Sequence, residues 1–290
     1  MSFFKKLFKG SGLTVEELAT RLGLSATELI NFTPSYHEFF IPKRTGGQRQ
    51  ILAPQPELKR IQRLILRRLL TRLRAHPHAV GFERGHSIVT NAACHVRQMV
   101  VVKMDVMDFF TNTTAARVED YFRFIGWNRE AAALLTKLCT HGGGLPQGAP
   151  TSPRLSNLVN HGLDAALTAL AKTVDAAYTR YADDITISFS RDDEDEINMI
   201  LSTTRLTLKD VGYTLHEHKK RRILRRHQRQ KVTGLVVNAK VQLPRATRRW
   251  LRAVRHRTAQ GTNPSLTAAQ LHGWQALEAM IAKQRENPQA

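Results

Sequence analysis

The sequence predicts an α+β fold, and three observations carry that expectation. Tyr178-Thr179-Arg180-Tyr181-Ala182-Asp183-Asp184-Ile185-Thr186-Ile187-Ser188-Phe189 is β-branched and aromatic on both sides of Ala182-Asp183. Its second half alternates apolar and polar at period two, the pattern of a hairpin with two aspartates at the tip. Val100-Val101-Val102-Lys103-Met104 is an apolar run that reads as a buried central strand, ended by Asp105 where a strand leaves the core. Leu155, Leu158, Val159, Leu163, Ala166 and Leu170 recur at helical spacing, behind Ser152 as N-cap and Pro153 at the first helical position.

A chain of 290 residues allows one large or two modest domains. Its 44 basic and 24 acidic residues leave a formal charge of +20, spread along the whole length, which points to a polyanion and to nucleic acid before membrane. No run of about 18 apolar residues could span a bilayer. The opening Met1-Ser2-Phe3-Phe4-Lys5-Lys6-Leu7-Phe8-Lys9 lacks the apolar core of a signal peptide. Two cysteines, Cys94 and Cys139, are too few for a disulfide scaffold, so the expected compartment is a reducing cytoplasm.

In chain order, Thr14 with Glu17 and Ser25 with Glu28 mark two helix starts flanked by leucines, with Gly23 placed to close the first helix. The pair reads as a helical hairpin, and Val15–Ser25 also resembles a degenerate helix-turn-helix. Ile41 to Ile51 reads as strand, Gly46-Gly47 turn and strand, with cations on both arms. A helix from Glu57 to Arg74 would put Leu58, Ile61, Ile65 and Leu69 on one face and a basic, phosphate-tracking surface on the others. Asn91 and His95 share a short helix at i, i+4 spacing, where such side chains are more often structural hydrogen-bonders than ligands. A zinc site from Cys94, His95, Cys139 and His141 fits no usual spacing.

Gly142-Gly143-Gly144 is not accompanied by a nucleophile elbow, and no lysine-bearing phosphate loop occurs. Asp192-Asp193-Glu194-Asp195-Glu196 suits the positive N-terminal end of a helix running to Asp210. His216 and His218 fit either metal ligation or a surface strand. A strand is expected at Val232–Val237, and a basic helix from Arg245 precedes a break at Gly261–Pro264 and a boxed start at Thr267 and Gln270.

The chemistry rests on the carboxylates. Adjacent Asp183 and Asp184 repel each other, which suggests a cation between them, although an Asp-rich turn alone would explain the pair. Asp105 tips the balance: three carboxylates delivered by two strands are what two Mg²⁺ ions need to hold an attacking hydroxyl and a leaving phosphate oxygen in line. On these residues, Tyr181-Ala182-Asp183-Asp184 with Asp105-Val106-Met107-Asp108-Phe109-Phe110, the chain resembles the palm of a reverse transcriptase. Asn91-Ala92-Ala93-Cys94-His95 and Val232-Thr233-Gly234 match two marks of the bacterial retron type.

That resemblance implies a right-hand polymerase: an N-terminal helical segment at 1–34, fingers at 35–104, palm at 105–244 and a small helical thumb at 245–290. It implies Asp105, Asp183 and Asp184 as ligands of two Mg²⁺ ions, Lys219 as the proton donor to leaving pyrophosphate, and Lys43, Arg49, Phe110 and Gln147 as nucleotide-binding residues. Phe110 would crowd the sugar 2′ position. Asn91, His95, Val232, Thr233 and Gly234 would bind the enzyme's own RNA. The implied partners are deoxynucleotides, a cognate structured non-coding RNA, its RNA-linked DNA product (msDNA) primed from a guanosine 2′-OH, and a separate effector protein in anti-phage defence. No residues are expected to remain for a nuclease, integrase or maturase domain. The rival readings are a group II intron or diversity-element reverse transcriptase, and an RNA-binding scaffold or antitoxin. Thr111-Asn112-Thr113-Thr114 departs from the family's usual proline-containing turn.

Overall fold

In the computed structural model, which describes residues 12–43, 46–216, 222–261 and 265–286, the Thr14 hydroxyl accepts the Glu17 N–H and Ser25 accepts that of Glu28. These caps start α1 (Val15–Leu22) and α2 (Ala26–Asn31), and Gly23, in the left-handed conformation, ends the first. Leu18, Leu22 and Leu29 are buried in one core with Leu58, Ile61, Phe122 and Leu138. The helix pair is therefore a packing element. β1 (Tyr36–Pro42) and β2 (Gln48–Pro54) form the expected antiparallel ribbon, closed by Lys43 N–H donating to Gly47 C=O.

α3 (Pro56–Ile65) corrects one expectation, because the helix does not run on regularly to Arg74. A single π-turn, Leu66–Leu70, follows, and Thr71 N–H donates to Leu66 C=O five residues back. The wider turn makes the core stripe Ile61, Ile65, Leu70 in place of one through Leu69.

The chain up to Pro77, Met107–Ala165 and Leu208–Thr214 forms one compact unit; His78–Val106, Ala166–Thr207 and the chain from Leu215 form the other. In the second unit, α4 (Ile88–Ala93) starts on a reciprocal Ser87–Thr90 capping box. It ends before His95, which lies in the following turn, so Asn91 and His95 do not share one helix as expected. β3 (Val100–Asp105) follows. Back in the first unit come α5 (Ala115–Phe124), α6 (Arg129–Cys139) and α7 (Ser152–Val159). The N-cap of α7 is Thr151, not Ser152, whose hydroxyl instead donates to Pro146 C=O and closes the preceding loop. Asn160 interrupts the expected single helix before α8 (His161–Lys172), and beyond it the core positions are Leu163, Leu167 and Ala171 while Ala166 is exposed.

β4 (Ala176–Tyr181) and β5 (Asp184–Phe189) are the hairpin. α9 (Glu194–Asp210) starts behind Asp193, whose carboxylate accepts the Glu196 N–H, as the acidic run predicts. β6 (Arg222–Arg225) completes an antiparallel sheet of order β4-β5-β3-β6. β7 (Lys231–Val232) and β8 (Leu235–Val236) make a small hairpin, followed by α10 (Arg245–Ala259) and α11 (Ala268–Glu286). Thr267 and Gln270 form the expected box, each bonding the other's backbone N–H. Among the described residues no helix is long and apolar enough to cross a membrane.

Candidate active site

The pleat of the four-stranded sheet sorts its residues onto two faces. Val100, Val102, Met104, Ile185, Ile187, Phe189 and Tyr178 share a buried apolar face. The other face carries Val101, Lys103 and Asp105 on β3 and Asp184, Thr186 and Ser188 on β5. Asp105 is the register partner of Asp184. Directly opposed residues on neighbouring strands project from the same face with Cβ atoms about 5 Å apart, so two carboxylates leave the sheet side by side at its end. Asp183 occupies the turn, and its C=O accepts Val106 N–H at 3.0 Å, which ties the turn to the end of β3.

Basic side chains already lie against these carboxylates. His216 Nε2 is 3.4 Å from Asp105 Oδ1, and Lys103 Nζ is 3.8 Å from Asp184 Oδ1. Among the described residues no three acidic, imidazole or thiol side chains form a ready-made cage. The donor set nonetheless fits Mg²⁺, which takes hard carboxylate oxygens from one or two residues together with substrate phosphates and water. Lys219 and His218 lie outside the described residues. The alternative zinc set fails on its parts: both His95 nitrogens are spent inside the fold, and burial pushes the Cys139 thiol up to about 12.

In the first unit, the expected gate residue Phe110 is half-buried on a loop with an internal scaffold. Phe109 stacks on Tyr213 with ring centroids 5.5 Å apart and meets Phe110 edge-on at 5.7 Å. Leu145 N–H donates to Phe110 C=O, and a Cβ on Gly144 would come within 2.0 Å of Thr111 O, so only glycine permits this approach. Thr113, within the departure from the usual proline turn, donates its hydroxyl to Phe109 C=O at 2.8 Å and meets the Tyr213 hydroxyl at 2.6 Å. Asn160 binds that same phenol at 2.9 Å, and Arg117 binds Asn160 while lying over the Tyr213 ring.

The Gln147 loop packs on the β1–β2 ribbon. Leu52 N–H donates to Gln147 C=O at 2.9 Å, and Gly148, at φ 135°, faces Leu52 O at a distance that leaves no room for a side chain. Lys43 and Arg49 are exposed on that ribbon, so three of the residues expected to meet a nucleotide belong to one packed element.

Residues 41–239 match the family model described as reverse transcriptase (RNA-dependent DNA polymerase). The chain belongs to the reverse transcriptase family. It is 37% identical over 297 residues to the retron Mx162 reverse transcriptase of Myxococcus xanthus, covering 87% of this chain and 61% of that protein. It is 36% identical to the retron Mx65 reverse transcriptase of the same organism, covering 92% and 68%, and 32% identical to the retron Ec86 reverse transcriptase of Escherichia coli, covering 88% and 80%. These likenesses place it on the retron branch. A telomerase from Candida albicans, solved with a fragment of telomeric RNA, shares the fold at a TM-score of 0.52 and 9% identity, over 80% of this chain and 51% of that one. The right-hand polymerase architecture follows.

The two retron marks meet in the second unit of this reverse transcriptase. The Thr233 hydroxyl donates to Ile88 C=O at 2.8 Å, so the Val232-Thr233-Gly234 turn is seated on the start of the helix that carries Asn91. Val232 is buried, and of the three only Gly234 is exposed. His95 is 0% exposed, with one ring nitrogen on Ser188 Oγ at 2.7 Å and the other on Thr179 Oγ1 at 2.8 Å. It therefore bridges β4 and β5 on the polar face, and burial lowers its pKa to about 3. The resemblance implied direct RNA contact by His95 and Val232, and the structure places both side chains inside the fold. Asn91 is 1% exposed, and neither atom of its amide has a partner among the described residues.

Sequence reading missed two groups here. Lys103 sits against Asp184, as His216, singled out in the sequence, sits against Asp105, and Arg180 is wholly buried beside the Asp183 turn. The signal for Arg180 was available: it alternates onto the same face as Tyr178 and opposite Ile185, a charge at an apolar position. The basic helix also acquires shape. Lys59, Arg60, Arg63 and Arg67 with Pro54 and Pro56 line a cavity of about 470 Å³, and Arg21, Arg67, Arg68 and Arg72 line one of about 550 Å³.

Proposed function

We propose that the protein is an RNA-directed DNA polymerase that copies part of its own structured non-coding RNA into an RNA-linked single-stranded DNA, the msDNA, starting from a guanosine 2′-OH. The observation that carries this reading is the register of Asp105 opposite Asp184, with Asp183 in the adjoining turn. In each cycle an oxygen–phosphorus bond forms at the nucleotide's α-phosphate and the bridging bond to the β-phosphate breaks, releasing pyrophosphate. Asp105, Asp183 and Asp184 are the residues to hold two Mg²⁺ ions, which when bound supply charge neutralisation and alignment of the entering and leaving oxygens. Lys43, Arg49 and Gln147 offer cations and a polar side chain for the triphosphate and base. Phe110 excludes a 2′-hydroxyl by bulk, and Lys219 is the assigned proton donor to pyrophosphate.

RNA is the partner that a +20 charge and an arginine-lined furrow favour. Of the retron-mark side chains, Asn91 is as buried as His95, so Asn91, His95 and Thr233 would serve cognate RNA binding by shaping the surface above them. A cytoplasmic location, a separate effector and a role in anti-phage defence complete the proposal and rest on the likeness to retron reverse transcriptases. The test is to purify the protein with its nucleic acid and look for DNA branched from an internal RNA 2′-oxygen. Such material should appear with the native chain and vanish with Asp183→Asn; RNA bound without attached DNA would overturn the proposal.

A further inference from the structure

The turn that presents Asp183 and Asp184 is built against the preference of its own first residue. Ala182 has φ 58°, the left-handed region where a Cβ is crowded and where hairpin turns ordinarily place glycine. Two independent features hold it there. Arg180 is 0% exposed, and its Nη1 donates to Ala182 C=O at 3.1 Å, reaching over the turn from within the core. The backbone of 78–81 braces the same place from the edge of β4. Arg180 N–H donates to His78 C=O at 2.8 Å, Val80 N–H donates to Arg180 C=O at 2.9 Å, and Ala79 bridges Arg180 in parallel. Gly81 then lies so close that an added Cβ would sit 2.6 Å from Ala182 N and 3.1 Å from Tyr181 C and Cα. Both contacts fall on the peptide units immediately before the two aspartates.

From this we infer that Arg180 and Gly81 are positioning residues of the polymerase centre: together they hold Ala182 left-handed and so set where Asp183 and Asp184 point. The inference rests on the reverse transcriptase reading of those carboxylates. It makes a prediction that a general packing role does not. Arg180 is needed because alanine resists this backbone conformation, so glycine at 182, which adopts φ 58° freely, should reduce the need for Arg180. The clash introduced at Gly81 is with the backbone itself, and glycine at 182 should not relieve it.

The experiment compares Arg180→Met, Gly81→Ala, Ala182→Gly and the Arg180→Met/Ala182→Gly double variant in the full chain. Deoxynucleotide incorporation on a pre-annealed primer–template gives kcat and KM. Mn²⁺ binding to the protein, read by electron paramagnetic resonance, reports the carboxylates without turnover, and thermal melting reports folding. Misplacing the carboxylates by about 1 Å should lower kcat on the order of 10²-fold in Arg180→Met and Gly81→Ala. Template KM should stay within about twofold, and Mn²⁺ binding should weaken. Adding Ala182→Gly to Arg180→Met should recover about tenfold in kcat and part of the Mn²⁺ binding. Folded Arg180→Met or Gly81→Ala with native kcat and native Mn²⁺ binding, or a double variant no better than Arg180→Met, overturns the inference. If Arg180→Met does not fold, Arg180→Lys takes its place in the cycle, and Gly81→Ala decides by itself if neither folds. Absence of incorporation by the native chain would count against the polymerase reading, while the Mn²⁺ comparison would still decide the positioning claim.

Discussion

Replacing Tyr213 with Phe removes one oxygen from the middle of a closed network, and its cost can be worked bond by bond. The Thr113 hydroxyl donates to Phe109 C=O, so its remaining capacity toward Tyr213 is as acceptor. Asn160 Nδ2 donates to the phenol oxygen at 2.9 Å and also to Ser156 C=O at 2.8 Å. The consistent assignment is Asn160 to Tyr213 to Thr113, with all three residues buried. Tyr213→Phe keeps the ring, its stacking on Phe109 and the overlying Arg117, and leaves one Asn160 N–H buried without a partner. An unsatisfied buried donor costs about 1–3 kcal/mol, whereas a vacated acceptor lone pair on Thr113 costs little. The expectation is about 2 kcal/mol of destabilisation, read by urea unfolding at constant m-value. The double variant with Asn160→Leu should cost less than the sum of the two single changes, because the stranded donor is gone. A loss below about 0.5 kcal/mol for Tyr213→Phe, or strictly additive losses, would refute the assignment.

Three further outcomes are expected, the first from the family resemblance and the others from the structure. Phe110→Ala should admit ribonucleotides by relieving a clash at C2′, and an unchanged deoxy-to-ribo preference in steady-state incorporation would remove Phe110 from that role. His95 stays neutral in the fold down to about pH 3 while the unfolded chain takes up its proton near 6.5. The unfolded state therefore binds more protons between these values, and stability present above pH 6.5 falls by about 1.4 kcal/mol per unit below it. Moving from pH 7.5 to 5 should cost about 2 kcal/mol through this residue, and an equally steep pH dependence in His95→Gln would place the effect elsewhere. Arg63, Arg67 and Arg72 have no acidic partner among the described residues; their triple change to Gln should shallow the salt dependence of RNA binding by about one unit of slope per lost phosphate contact. The same charge removed at Arg123, Arg129 and Lys172 serves as the comparison, and equal effects of the two sets would reduce the furrow to net charge.

By itself the sequence determined the local elements: the helix caps at Thr14, Ser25 and Thr267, the two-residue turn between β4 and β5, and β3 as an apolar strand ending in Asp105. These are decided within a few residues, by cap hydrogen bonds and by side-chain periodicity, and a linear pattern displays them. The Asp-Asp pair and the upstream aspartate were legible as a candidate cation site for the same reason, since like charges in a basic chain need an explanation. The cross-strand register was not legible, because only pairing of β3 with β5 determines that Asp105 stands opposite Asp184. Tertiary packing likewise decided the π-turn after Ile65, where one extra residue brings Leu70 into the core, and the break at Asn160, whose amide serves Tyr213. It turned His95 inward, because Thr179 and Ser188 on two strands offer its ring both a donor and an acceptor. Most of all it decided Arg180 and Gly81: a charge on an apolar strand face and a glycine in a loop acquire their meaning only from the backbone of Ala182, which no periodicity in the sequence brings near them.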